Sequence, residues 1–210
     1  NFLPLLKKYP KLNYVGVEAN PEDAKRAQEI LQDFKNVKIY NQLAYSPIPG
    51  CVGYFDICLS FSALEHVKQL DEFLVNSINS VKPGGYIIHR YDLGHALHPV
   101  SLKEKINVFL GNNFPRFLPE NKFLCYLDER KVCSILESHG ASVINTTYHQ
   151  MPNHKEFLKN FSIDSEEKKL LAQTILDWEF QVSPYLNTFN KAQREKLFPA
   201  ITIWAQRRAR

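Results

Sequence analysis

Short apolar runs alternate with segments of helical period along most of this 210-residue chain, and that alternation dictates a layered α/β fold. The runs are Leu12 to Glu18, Val37 to Tyr40, Tyr54 to Phe61, Tyr86 to Tyr91, Ser142 to Tyr148 and Ala200 to Gln206. Helices are expected over Phe2 to Tyr9, Asn20 to Phe34, Leu70 to Val81, Ser101 to Leu110 and Asp128 to Ser138. Asn20 offers a capping side chain, and Pro21 lacks only a donor that the first turn leaves unpaired anyway. Pro10, Gly140 and the run Lys82-Pro-Gly-Gly85 punctuate the elements. Repeated strand, helix and strand give a parallel sheet with helices on both faces. Tyr54 to Phe61 is nearly all apolar, so it is expected to be a buried strand covered on both faces. Sheets of this kind bind ligands beyond the carboxyl ends of their strands, so the residues that end strands carry the functional argument.

Hydrophobic residues make up 44% of the chain, enough for one substantial core. The net charge of +4, from 26 basic and 22 acidic residues, lacks the strong basic stripe of a dedicated nucleic-acid binder. Arg207, Arg208 and Arg210 crowd the C-terminal end and are expected to be a solvated tail. Cys51, Cys58, Cys125 and Cys133 show no C-x-x-C spacing, which gives a zinc site or redox pair no support. No apolar run approaches the roughly 20 residues of a membrane helix, and no signal peptide is seen. A reduced, cytoplasmic setting is therefore expected.

Glu18 ends the first strand. A carboxylate there can accept two hydrogen bonds from a ribose diol, or serve only as a dipole partner for the helix that follows. The stretch Tyr14-Val-Gly-Val-Glu-Ala-Asn-Pro-Glu-Asp-Ala-Lys-Arg-Ala resembles the second motif of class I S-adenosylmethionine-dependent methyltransferases. Tyr54-Phe-Asp-Ile-Cys-Leu-Ser-Phe-Ser-Ala-Leu-Glu-His-Val resembles their fourth, and Val81-Lys-Pro-Gly-Gly-Tyr-Ile-Ile the turn and strand after it. The order and spacing of the three are more specific than any one. The resemblance covers Phe2 to Tyr91, then Asp128 to Tyr148 and the final strand.

This resemblance implies a Rossmann-like methyltransferase sheet of strand order 3-2-1-4-5-7-6 and S-adenosylmethionine as cofactor. Glu18 would bind the ribose hydroxyls, and Ala19 and Asn20 would run beneath the adenine. The family usually places an acid after the next strand, to meet the adenine amino group; this chain has Gln42 there, followed by Leu43. A glutamine carbonyl can accept from that amino group, more weakly than a carboxylate; alternatively Gln42 is a plain loop residue. Ser60 and Phe61 would face the methionine portion.

Ser62-Ala-Leu-Glu65 reads as a capping box, which accounts for Glu65. His66 either faces the acceptor, as this region often does in the family, or is a half-exposed helix histidine. The run His89-Arg-Tyr-Asp-Leu-Gly-His-Ala-Leu-His98 follows the next strand. Its spacing matches no zinc pattern, so no metal is expected. Arg90, Asp92 and His95, with His66, are the expected acceptor-binding residues. His66, Asp92 and His95 are the candidates for a catalytic base.

The family's glycine-rich G-x-G-x-G turn after its first strand does not occur in this chain, and Phe2 to Tyr9 matches the helix that normally follows it. That first strand and its glycine loop are expected to be missing before Asn1. A single domain over residues 1–210 is expected, with a helical insertion from Asn153 to Lys196. A hairpin connection needs only about 2–5 residues, so this insertion is expected to be a lid over the acceptor. Its apolar face would comprise Leu170, Leu171, Ile175, Trp178 and Val182. The expected activity is methyl transfer to a small-molecule acceptor, with no membrane or nucleic-acid partner. Two other readings stand beside it. One is a nicotinamide-dependent Rossmann oxidoreductase, which also uses an acid at this strand end but does not explain the final strand. The other is a non-catalytic domain that keeps the fold.

Overall fold

Parallel pairing needs a crossover longer than a hairpin, and the helical segments supply it. A computed structural model of the protein describes residues 2–99, 101–149 and 165–209. The chain divides into two units, Asn1–Pro47 and Ile48–Arg210. The first unit contains α1 (Leu3–Lys8), β1 (Tyr14–Glu18), α2 (Pro21–Leu31) and β2 (Val37–Asn41). β1 and β2 pair in parallel from Tyr14 beside Val37 to Glu18 beside Asn41. Asn20 caps α2 as expected, its side chain accepting from the Glu22 amide at 2.9 Å. Leu6, Ala24 and Leu31 are the buried apolar residues of this unit's helices.

The second unit holds β3 (Phe55–Phe61), α3 (Leu70–Ser80), β4 (Val81–Asp92), α4 (Gly94–Leu97), α5 (Leu102–Asn113), α6 (Glu129–Ser138), β5 (Ala141–His149), α7 (Glu166–Val182), α8 (Lys191–Leu197) and β6 (Ala200–Arg207). Its sheet has the order β3-β4-β6-β5. β3 and β4 run parallel, and β6 runs antiparallel to both of its neighbours. The expected breaker at Lys82-Pro-Gly-Gly85 lies inside β4 as an irregularity, with Phe55 beside Val81 and Ile57 beside Tyr86. Gly84 has φ +80, a backbone that glycine adopts without strain.

Alternation decides which side chains of this sheet are covered. Ile87, His89 and Tyr91 of β4 stand beside Ala205, Ile203 and Ile201 of β6, and all six are buried. α3 covers this face at Phe73, whose ring lies 5.5 Å from that of His89. The other face departs from expectation. Ile57, Leu59 and Phe61 are 51%, 38% and 53% exposed, so β3 is not covered on both faces among the described residues.

The insertion is helical over its described part, and residues 150–164, where its expected start falls, lie outside the described residues. α7 packs on β5; of the expected apolar stripe, Leu171, Ile175 and Val182 are half-buried and Leu170 and Trp178 exposed, while Glu179 is the buried residue of the helix. The seat is polar. The Tyr148 amide donates to Ser183 Oγ at 2.9 Å, and His149 Nδ1 lies 3.8 Å from Glu179 Oε2. α8 is tied to the start of α6 by Lys191 Nζ to Asp128 Oδ2 and Arg194 Nη2 to Glu129 Oε1, both 2.7 Å. Of the C-terminal arginines expected as a solvated tail, Arg207 is instead part of the sheet, Arg208 is exposed, and Arg210 lies outside the described residues. Arg207 ends β6 and donates to the Asn79 and Val81 carbonyls, and Arg208 donates to Ser142 Oγ at 3.1 Å. Among the described residues, no helix is long and apolar enough to cross a membrane.

Candidate active site

In the first unit, the sequence-predicted residues converge where β1 and β2 end. β1 and β2 are in register, so Glu18 and Asn41 finish side by side. The Asn41 side-chain amide donates to the Glu18 and Ala19 carbonyls at 2.9 and 3.2 Å, and the Gln42 amide donates to the Glu18 carbonyl at 3.2 Å. The Asn20 amide donates to Glu18 Oε1 at 2.9 Å, which fixes the carboxylate at the strand end. Glu18 also lines a cavity of about 450 Å³ whose wall is mainly apolar, with Phe2, Val17, Ile30, Leu31 and Ile39 beside Asp23 and Arg26, and which Ala19, Asn20, Gln42 and Leu43 do not line. Gln42 uses its side-chain nitrogen within its own loop, donating to the Ser46 carbonyl at 2.9 Å. That leaves its side-chain oxygen as the atom suited to accept from a ligand. Glu18, Ala19, Asn20, Gln42 and Leu43 thus share one end of one unit, with Ala19 and Asn20 exposed.

In the second unit, Ser60 and Phe61 end β3 and diverge in direction, as strand neighbours must. Ser60 turns inward, and its Oγ shares a hydrogen bond of 2.7 Å with His89 Nδ1. Phe61 lies on the exposed face. Burial pushes the His89 imidazole down to about 3, so the ring is neutral at ordinary pH. Arg90 sits opposite Phe61 in β4, and its carbonyl accepts from the Ser62 amide at 2.8 Å. Asp92 ends β4 and is buried; its Oδ1 accepts from the Gly94 amide at 2.7 Å and so opens α4. His95 is exposed on α4. His66 is exposed too, with its Nδ1 3.0 Å from the Phe123 carbonyl. Ser60, His66, Arg90, Asp92 and His95 therefore belong to the carboxyl ends of β3 and β4 and the turns that follow. Among the described residues, no group of three or more histidine, cysteine and acidic side chains is placed to hold a metal ion.

One residue of this region departs from the sequence reading. No capping box forms at Ser62. Ser62 has φ +49, a costly backbone for a residue with a Cβ, and a single tight turn, Leu64–His66, follows it. α3 starts only at Leu70. Glu65 is therefore not a helix cap. It is fully buried, its Oε1 accepts from the Asp92 amide at 3.2 Å, and its own carbonyl accepts from the Cys125 amide at 3.0 Å. Burial pushes its carboxyl up from the ordinary glutamate range. The available signal was its place in the run Leu64-Glu-His-Val67, where Leu64 and Val67 are buried as well.

A family model described as a methyltransferase domain matches residues 1–146. No curated protein matches. Among solved structures, a candidate sarcosine dimethylglycine methyltransferase from Galdieria sulphuraria aligns with a TM-score of 0.62 at 10% identity, covering 99% of this chain and 73% of that one. Geranyl diphosphate C-methyltransferase from Streptomyces coelicolor A3(2) aligns at 0.59 and 12% identity, covering 98% and 66%. The [4+2]-cyclase SpnF aligns at 0.57 and 13% identity, covering 99% and 71%. At such identities these likenesses concern the fold.

Proposed function

From the premise that this chain belongs to the methyltransferase domain family, we propose that it transfers a methyl group from S-adenosylmethionine to a small-molecule acceptor. One observation carries the reading. Glu18 is held at the end of β1 by the Asn20 amide and lines a cavity of about 450 Å³. A fixed carboxylate at a strand end is what a ribose diol requires. Ala19 and Asn20 would hold the adenine with Leu43, and the Gln42 side-chain oxygen would accept from its amino group. Phe61, on the exposed face of β3, would hold the methionine portion, and Ser60, whose hydroxyl is engaged by His89, would contribute the strand-end backbone beside it. The nucleoside thus fits the residues of the first unit.

The cofactor supplies an activated methyl group, so the protein's work is to orient the acceptor in line with it. His66, Arg90, Asp92 and His95 bind the acceptor. Where the acceptor must lose a proton, His66, His95 or Asp92 takes it. The insertion expected from Asn153 to Lys196, described from Ser165 onward, would serve as a lid that excludes water. The antiparallel β5–β6 hairpin, with β6 between β4 and β5, favours this reading over a nicotinamide-dependent oxidoreductase. Calorimetric titration of the chain with S-adenosylhomocysteine and with NADH separates the readings. Binding of the first alone supports methyl transfer. Binding of NADH alone favours the oxidoreductase, and binding of neither the non-catalytic domain.

A further inference from the structure

The acceptor side of the second unit depends on three stretches of chain that are far apart in sequence. They are the turn from Ser62 to His66, the end of β4 at Asp92, and the loop from Phe123 to Tyr126. One residue touches all three. Glu65 belongs to the turn, accepts the Asp92 amide on Oε1 and accepts the Cys125 amide on its carbonyl. Its neighbour His66 adds a second bond to the same loop, at the Phe123 carbonyl. Asp92 in turn accepts the Gly94 amide and so sets the start of α4, which carries His95. The turn that carries His66 and the strand end that carries Asp92 therefore meet at one carboxyl that no solvent reaches.

We infer that Glu65 is the positioning residue of the acceptor side: its buried carboxyl ties its own turn to the end of β4, and its main-chain carbonyl ties the same turn to the loop from Phe123 to Tyr126. The inference rests on the methyl-transfer reading for what the floor is for, and on geometry alone for the clamp. Glu65 Oε2 is buried without a hydrogen-bond partner. An ionised carboxyl with one bare oxygen in that position costs far more to bury than the acid form, which leaves only an unpaired hydroxyl. The groups facing it are Asp92 on β4, His66 on its own turn and Cys125 on the loop. Glu120 and Lys122 sit on the tight turn packed against it. Burial is the main reason that the carboxyl keeps its proton to higher pH than an exposed glutamate, and the Asp92 carboxyl adds to it. The sign follows: an acid with a raised folded-state value stabilises the fold while protonated, and that contribution is lost as pH rises through the folded value. The clamp holds in the acid form and loosens when the proton leaves.

The test uses the full chain as wild type, Glu65→Gln and Glu65→Ala, and reads protection of the Asp92 amide by hydrogen exchange, with the Cys125 amide, bonded to the Glu65 main chain in every variant, as the reference. Glutamine keeps the acceptor oxygen and the shape but cannot ionise. It should preserve wild-type protection at low pH and hold it across about pH 5 to about pH 9, while the wild type loses it as pH rises. Alanine should lower Asp92 protection by about tenfold or more, the equivalent of one lost hydrogen bond. Three results overturn the clamp: equal Asp92 protection in wild type and Glu65→Ala, loss of protection in Glu65→Gln, or wild-type protection that does not change with pH. Should Glu65→Ala not fold, the wild type and Glu65→Gln decide alone. S-adenosylhomocysteine titrated into the wild type runs alongside. Its failure to bind sinks the methyl-transfer reading and leaves the exchange result to judge the clamp separately.

Discussion

The carboxyl end of β1–β2 and the carboxyl end of β3–β4 solve different physical problems. At the first, Glu18, Ala19 and Asn20 meet solvent and are set by backbone amides and the Asn41 side chain. At the second, Glu65, His89 and Asp92 are buried, and their roles are set by what desolvation allows. An exposed strand end keeps its polar groups ready for a ligand at little cost. A buried one must satisfy them internally or change their protonation. The first arrangement suits recognition of a nucleoside by matching hydrogen bonds. The second suits a rigid floor on which a few exposed groups, such as His66 and His95, are aimed.

The largest effect that could break this contrast is acid sensitivity. His89 is held neutral to about 3 against an ordinary value near 6.5. The unfolded chain then binds a proton that the folded chain refuses, so stability is full above that ordinary value and falls as pH drops below it. The loss approaches roughly 4 kcal/mol by about pH 3. Denaturant titrations of wild type and His89→Gln across this range should show a shallower acid slope in the variant. Equal slopes would mean that the second region is not governed by burial.

Gly111→Ala should come next. A Cβ there would stand 2.0 Å from the Leu124 carbonyl oxygen, part of the backbone that presents Cys125 to Glu65. Overpacking against backbone costs about 3 kcal/mol, readable as a lowered thermal midpoint. An unchanged midpoint would show that α5 does not seat that loop.

Gln42→Ala should be the smallest. Stability should move by less than about 0.5 kcal/mol, because the residue lies in a surface loop. S-adenosylhomocysteine affinity should fall about three- to tenfold, the worth of one neutral hydrogen bond. A large stability loss with unchanged affinity would reverse the contrast between the two regions.

How far the sequence could be read follows the same divide. The capping of α2 by Asn20 and of α6 by Asp128 was legible, because a cap is a local arrangement. The strands were legible from their apolar runs, with boundaries off by a residue or two except at β4, which starts five residues before the expected Tyr86. The assignments of Glu18 and Gln42 rest on strand ends and motif context, which a sequence displays. Glu65 was not legible, because Ser-x-x-Glu spacing suits a capping box and only the left-handed backbone at Ser62 prevents one. A capping box does form elsewhere, at Asn190 and Gln193, where no Ser/Thr-x-x-Glu pattern marks it. The apolar stripe of α7 misled for a related reason. Period shows which residues share a face, yet the buried contact of this helix centres on Glu179 beside His149. Long-range partners decide such cases, and local pattern does not contain them.

The central claim is that Glu18 holds the ribose of S-adenosylmethionine. Calorimetry of S-adenosylhomocysteine binding to wild type and Glu18→Ala tests it most directly. Losing a charge-assisted hydrogen-bond pair costs roughly 1.5–3 kcal/mol, so the account predicts a Kd about ten- to a hundredfold weaker in the variant, with the fold intact by circular dichroism. An unchanged Kd in a folded Glu18→Ala protein would contradict it.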